Sequence, residues 1–351
     1  MLPTAPVAPA YSLRRWSYGA VLAAAALGAV LPQLAAPVLA PLLAVGLVVF
    51  GIAHGACDQL ILPAAQPDML PGADWRNPRY LSWFLLAYLG LAAVVVGLWW
   101  AWPAVSVGLF FLLTVWHWGS ADAPEAHEKP VSWLSHSLLR GLLVFAIPSL
   151  AWPVATLGII NGLLGFAGGQ PLPAALFTAA TTALAVVVGI GHLVLWLNYG
   201  VQRNWPALRQ DVQEIGLLAV LFIALPPVLS VGVYFVYWHS LQHVQRLVPL
   251  LGYATPTGQP GAGRPGAVQP VPLRELLRQM GFFMRRAAPL LLVSCLGIAG
   301  LGYVLAARLP DGAAWFSLAL VVASVVTLPH ALLVTFVMDA ARWRPASAQK
   351  A

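Results

Sequence analysis

Apolar runs of about twenty residues recur along this chain, at 17–33, 38–62, 80–100, 104–121, 134–150, 175–198, 212–228, 231–247, 287–308 and 313–340. Each approaches the length a helix needs to cross the roughly 30 Å hydrocarbon core of a bilayer. Hydrophobic residues make up 60% of the 351 positions and charged residues 8%, where a water-soluble globule carries about a quarter charged. The chain therefore reads as an all-α polytopic membrane protein, a bundle of about ten transmembrane helices forming one domain over 1–351. A soluble globular enzyme is excluded.

Orientation follows from the basic residues, which gather on cytoplasmic loops. The net charge of +7 is read through those positions, and no basic patch with interleaved aromatics calls for a nucleic-acid partner. Residues 1–16 form a leader ending in Arg14, Arg15 and Trp16. The apolar run behind it resembles a signal peptide but is followed closely by a second run, so it reads as a first span. Segment 151–171, rich in Gly and bearing Trp152 and Pro153, reads as an interfacial or re-entrant piece. Counting it as a span would move Arg203, Arg209 and every later basic loop to the other side. Without it, both termini and nearly all Lys and Arg are cytoplasmic, with Arg308 the exception, in a protein of the cell's inner (plasma) membrane.

The linker Gly252 to Pro272 is Gly/Pro-rich and reads as a flexible cytoplasmic loop. Behind it, Leu273, Leu276, Leu277, Met280 and Phe283 recur at helical spacing with Arg274, Arg278 and Arg285 largely apart from them. That pattern suits a helix resting on an anionic leaflet or a solvated helix beside the membrane. Cys57 and Cys295 lie in apolar runs and make neither a disulfide framework nor a CxxC site.

The chemistry concentrates in the stretch Tyr234 to His243, YFVYWHSLQH. His239 and His243 are four apart, which in a helix puts both imidazoles on one face, able to chelate one ion or to hydrogen-bond a neighbouring helix. Six of the eight histidines fall inside spans: His54, His117, His192, His239, His243 and His330. They share a layer in or near the cytoplasmic half of the bundle, where unpaired polar groups are costly. With almost no carboxylate or thiolate in that layer, a metal site there would be all-nitrogen, suited to Fe, Zn or Cu. His127 and His136 lie in or beside a polar loop and read as dispensable. Asp58 follows His54, and Asp122 follows His117, by about one turn. Each acid either orients a ligand histidine or caps the next element.

HGACD at 54–58, WHWGSAD at 116–122, YFVYWHSLQH at 234–243 and LPHALLV at 328–334 together resemble the Brp/Blh-type β-carotene 15,15'-dioxygenases of bacteria and archaea, from about residue 50 to 340. The resemblance implies a single Fe(II) held by four histidines, matched here by His54, His117, His239 and His243. His330 and His192 then stand outside the ligand set. It also implies cleavage of β-carotene, or a related carotenoid, by O2 into two molecules of retinal. The lipid bilayer would deliver the substrate, and a retinal-binding rhodopsin would be a functional partner. Tyr234, Phe235, Tyr237, Trp238, Trp116 and Trp118 would line a substrate tunnel or serve helix packing.

Competing classes are a di-metal desaturase or hydroxylase, a haem protein and a metal transporter. The first needs more HxxxH and HxxHH boxes than the one HSLQH here. The second needs two facing axial histidines, and the third needs acids and histidines through both leaflets.

Overall fold

The computed structural model describes residues 14–66, 76–123, 130–253, 272–309 and 311–343. Most of the leader, nearly all of the 252–272 linker and His127 lie outside the described residues. Among the described residues all regular structure is helical. In chain order these are α1 Arg14–Val30, α2 Pro32–Gly55, α3 Asp58–Ala65, α4 Pro78–Ala101, α5 Pro103–Asp122, α6 Pro130–Ala151, α7 Pro153–Phe166, α8 Ala174–Val201, α9 Trp205–Ala224, α10 over 227–250, α11 Leu273–Arg308 and α12 Gly312–Met338.

The breaks between helices have identifiable causes. Pro32, Pro78, Pro103, Pro153 and Pro227 stand at helix starts, where a missing N–H costs nothing and φ is preset. Trp102 and Trp152, each preceding a proline, leave the helical region (φ −143° and −134°), as the proline ring requires. Side-chain oxygens of Asn77, Asn204 and Asp311 cap α4, α9 and α12 by accepting from the N–H groups of Arg79, Ala207 and Ala314 at 3.0, 3.3 and 2.9 Å.

Among the described residues, seven helices are long and apolar enough to cross a membrane: α2, α4, α5, α6, α8, α11 and α12. Their outward residues are bare hydrophobics, Trp100 of α4 at 89% exposure among them. Such a coat is a liability in water and a match for lipid. The protein is an all-α polytopic membrane protein.

One expected span and one expected surface helix take different bounds, and the segment read as interfacial is a short helix. The one expected at 212–228 begins earlier, at Trp205, because Asn204 caps there, and ends at Ala224 before Pro226 and Pro227. Residues 273–286 do not form a separate surface helix, since α11 runs unbroken from Leu273 to Leu305 and buries Leu276 and Phe283. Segment 151–171 contains α7, whose 14 residues reach about 21 Å, short of a bilayer core.

The core lies in three patches. One joins α1, α6, α8, α9 and α10 through Val21, Leu143, Val188, Phe222 and Trp238. Another joins α2, α3, α10 and α11 through Leu60, Val244, Phe283 and Leu291. The third joins α4, α5 and α7 through Trp99, Val107 and Leu163. Helices α5 and α6 cross backbone against backbone at Gly119 and Gly141.

Candidate functional site

Three π-helical segments interrupt the bundle: Leu47–Ile52 in α2, Tyr234–Ser240 in α10 and Val334–Met338 in α12. His54 follows the first, His239 lies within the second, and His330 precedes the third. A π turn inserts a residue and re-aims the side chains around it, so each of these helices presents a histidine inward.

His54, His117, His239, His243 and His330 are all buried. One ring nitrogen from each of His54, His117 and His239 lies within 4.8 Å of the others. His243 packs its ring 5.2 Å from that of His54 and 6.2 Å from that of His117. His239 and His243 stack at 6.2 Å with planes 15° apart, the one-face arrangement their spacing predicts. His330 also enters the cluster, with its ring centre 4.9 Å from His54, 4.8 Å from His117 and 5.4 Å from His243.

The nitrogens distinguish this cluster from packing. His54 Nδ1 donates to the Phe50 carbonyl oxygen at 2.8 Å, which leaves the lone pair on Nε2. His117 Nδ1, both nitrogens of His239 and of His243, and His330 Nε2 are buried with no hydrogen-bond partner among the described residues. A buried polar atom left unpaired costs about 1–3 kcal/mol, and six such atoms in one cluster are expensive.

A metal ion would answer part of that cost, taking one nitrogen from each ring. With a nitrogen about 2.1 Å from the ion, a ring centre lies roughly 3.2 Å out, so adjacent imidazoles stand about 4.5 Å apart and opposite ones about 6.4 Å apart. The ring spacings, from 4.8 to 6.2 Å, fall within that window, so the residues present fit such an ion.

The acids act differently from the sequence expectation. Asp58 does not reach His54; its two oxygens accept from His330 Nδ1 at 2.8 and 3.0 Å, and Tyr88 donates its hydroxyl to it at 3.0 Å. Asp122 accepts from the Tyr234 hydroxyl at 2.6 Å and from Trp238 Nε1 at 2.9 Å, while His117 Nδ1 stays unpaired. Asp122 thereby anchors the π segment that carries His239. Both acids start or end a helix, and the tertiary fold hands each to a different helix.

Of the aromatic residues, Phe235 and Trp118 flank His239 at 6.1 and 5.7 Å. Trp116 donates to Thr335 Oγ1 at 3.0 Å and, with Leu113, Ala331, Phe336 and Trp343, lines a cavity of about 320 Å³ next in sequence to His117 and His330. Tyr237 donates outward to the Leu42 carbonyl oxygen at 2.8 Å.

Two further histidines lie away from the cluster. His192 is buried but lines a separate cavity of about 260 Å³ with Leu143, Val188, Trp196 and Ile215; similar depth in the membrane did not bring it to the cluster. His136 is not loop-like. It sits fully buried on α6, its Nε2 2.6 Å from the Tyr199 hydroxyl, because that face of α6 packs on α8.

Sequence reasoning also missed a buried ionic group. Arg140 donates to Asp211 at 2.7 Å and to Glu214 at 2.5 Å, and Arg14 pairs with Glu214 as well. Arg140 further donates to the Asp122 carbonyl oxygen at 3.3 Å, linking this group to the anchor of the π segment. Its one sequence signal is the isolated charge of Arg140 within an apolar run.

Comparison with known proteins bears on the same residues. A family model described as β-carotene 15,15'-dioxygenase matches residues 45–338. A relative from Halobacterium salinarum, named probable β-carotene 15,15'-dioxygenase Blh, is 30% identical over 314 residues, 85% of this chain and 83% of that protein. A second, named probable β-carotene 15,15'-dioxygenase Brp, from the same species, is 27% identical over 49% of this chain and 51% of its own length. A β-carotene 15,15'-dioxygenase from an uncultured marine bacterium is 26% identical over 57% of this chain and 66% of its own. No solved structure gives a significant match. The matched region runs from the π segment before His54 to the one after His330 and takes in the whole histidine cluster, and the chain belongs to the β-carotene 15,15'-dioxygenase family.

Proposed function

We propose that this protein is an integral-membrane, Fe(II)-dependent dioxygenase that splits the central 15,15' double bond of β-carotene with O2 into two molecules of retinal. His54, His117, His239 and His243 hold the iron. The observation that carries this reading is the cluster of buried imidazoles, six of whose nitrogens have no partner among the described residues, in a chain of this family. Neutral imidazole suits iron, and all-nitrogen ligation without carboxylates leaves the ion's charge uncompensated in an apolar setting.

The iron, when bound, supplies the binding and activation of O2. The chain's own residues do the remaining work. The substrate is an apolar polyene that partitions into lipid, so it reaches the bundle laterally. The cavity beside Trp116, Phe336 and Trp343 has the apolar lining such a molecule needs. Phe235 and Trp118 beside His239 exclude water from the reacting carbons. Asp122, by accepting from Tyr234 and Trp238, fixes the segment that aims His239.

The protein stands in the inner (plasma) membrane with both termini cytoplasmic, and its product serves a retinal-binding rhodopsin. The test is purification from cells, metal analysis, and incubation with β-carotene in detergent under O2. About one iron per chain with bleaching and retinal release is expected. Retinal formation without bound metal, or metal without any cleavage, refutes the reading.

A further inference from the structure

We propose that His330 is a fifth imidazole ligand of the same ion, oriented by Asp58, which Tyr88 holds in turn. The proposal rests on the metal site proposed above and enlarges its ligand set.

Position comes first. The His330 ring centre stands 4.9, 4.8 and 5.4 Å from those of His54, His117 and His243. Those spacings fall between the adjacent and opposite values of about 4.5 and 6.4 Å set by a metal–nitrogen distance near 2.1 Å, and those to His54 and His117 lie near the adjacent one. By contrast, His239 and His243 stand 6.2 Å apart. A histidine that merely packed against a four-ligand site would sit behind one imidazole rather than beside three.

The protonation pattern agrees. A carboxylate only accepts, so the contact of His330 Nδ1 with both oxygens of Asp58 places the ring proton on Nδ1 and the lone pair on Nε2. That Nε2 is buried and has no hydrogen-bond partner among the described residues. Metal-bound histidines commonly donate their other N–H to a carboxylate, which fixes the tautomer and raises basicity. Within the cluster only His330 has this arrangement. Asp58 is itself held at 3.0 Å by the Tyr88 hydroxyl, which also lies 3.3 Å from the Val326 carbonyl oxygen. The chain Tyr88–Asp58–His330 thus ties α4, α3 and α12 together, and it has no purpose for a ring that needs no orientation. On a six-coordinate ion, five imidazoles leave one open position, enough for a diatomic ligand and none for the polyene.

The test uses the full-length protein in detergent, stripped of metal and titrated anaerobically with Fe(II), as wild type, His330→Ala and Asp58→Asn. Wild type is expected to bind one iron. His330→Ala should weaken binding at least tenfold. Added 15N-imidazole should then enter the vacated position and give 15N couplings in the pulsed EPR spectrum of the nitric oxide adduct. Asp58→Asn, nearly isosteric and so safe against misfolding, should weaken binding about 10–100-fold. If wild type binds iron while Asp58→Asn binds it equally well, or if folded His330→Ala shows no 15N coupling, His330 is not a ligand and the four-histidine site stands. If wild type binds no iron, the metal site itself falls and this inference with it.

Discussion

Gly119 and Gly141 let α5 and α6 touch backbone to backbone. A Cβ on Gly119 would lie 1.8 Å from the Ser137 carbonyl oxygen, and one on Gly141 1.9 Å from the Val115 carbonyl oxygen. His117 lies between Val115 and Gly119, so the crossing that needs these glycines also sets its depth. Replacing Gly119 by Ala must push the helices apart, which is expected to lower thermal stability and most of the bound iron together. Gly108→Ala, on the same helix with open space around it, should leave both unchanged. Iron content and melting of the two variants, side by side, check this.

His239→Ala and His243→Ala are each expected to abolish retinal formation and to lose most of the iron. His136→Ala should behave otherwise. It removes a buried hydrogen bond to Tyr199 and should cost about 1–3 kcal/mol of stability while iron per chain stays at the wild-type value. Metal analysis of the three purified variants separates the two groups, and full activity in His239→Ala would remove the metal reading at its centre.

Arg140 stands between Asp211 and Glu214 with almost no exposure. Arg140→Met leaves two carboxylates buried without their shared cation, and breaking a buried pair in this way typically costs about 3–5 kcal/mol. The variant should express poorly or melt well below wild type. Adding Asp211→Asn, while Glu214 keeps Arg14, should restore part of the loss, and a double variant no more stable than the single one would contradict the account.

Chelation should destabilise the folded protein, since ligand imidazoles then keep buried nitrogens with no partner among the described residues. At free Fe(II) about a hundredfold above its dissociation constant, the bound ion contributes about 2.7 kcal/mol. A thermal midpoint that falls on metal removal and returns with Fe(II) is the expected result. An unchanged midpoint would show that the folded state does not bind the ion.

Both termini and the 252–272 loop are expected on the cytoplasmic side, because only that arrangement gathers nearly all Lys and Arg there. Reporter fusions at the C-terminus and in the loop test it. Activity of either fusion on the outer side would overturn the topology.

Much of this protein was legible in its sequence because the governing signals are local. Apolar run length identifies membrane helices, proline and Asn/Asp positions mark their starts, and the i, i+4 spacing of His239 and His243 survives the π segment beside them. Motif order identified the family and pointed to four of the five histidines whose rings cluster in the structure. What the sequence did not carry depends on which helices become neighbours. Asp58 is one turn from His54 yet serves His330, 272 residues away, because α3 lies against the end of α12. His192 shares the depth of the cluster and lines a different cavity, since depth is set by hydropathy whereas the neighbour across the bundle is set by packing. His136 read as beside a loop, and Arg140 drew no reading, because their partners come from α8 and α9 packed on α6. Hydrophobicity acts on each segment independently of the others, but a ligand set or a buried ion pair exists only once close crossings such as that of Gly119 and Gly141 have fixed which faces meet.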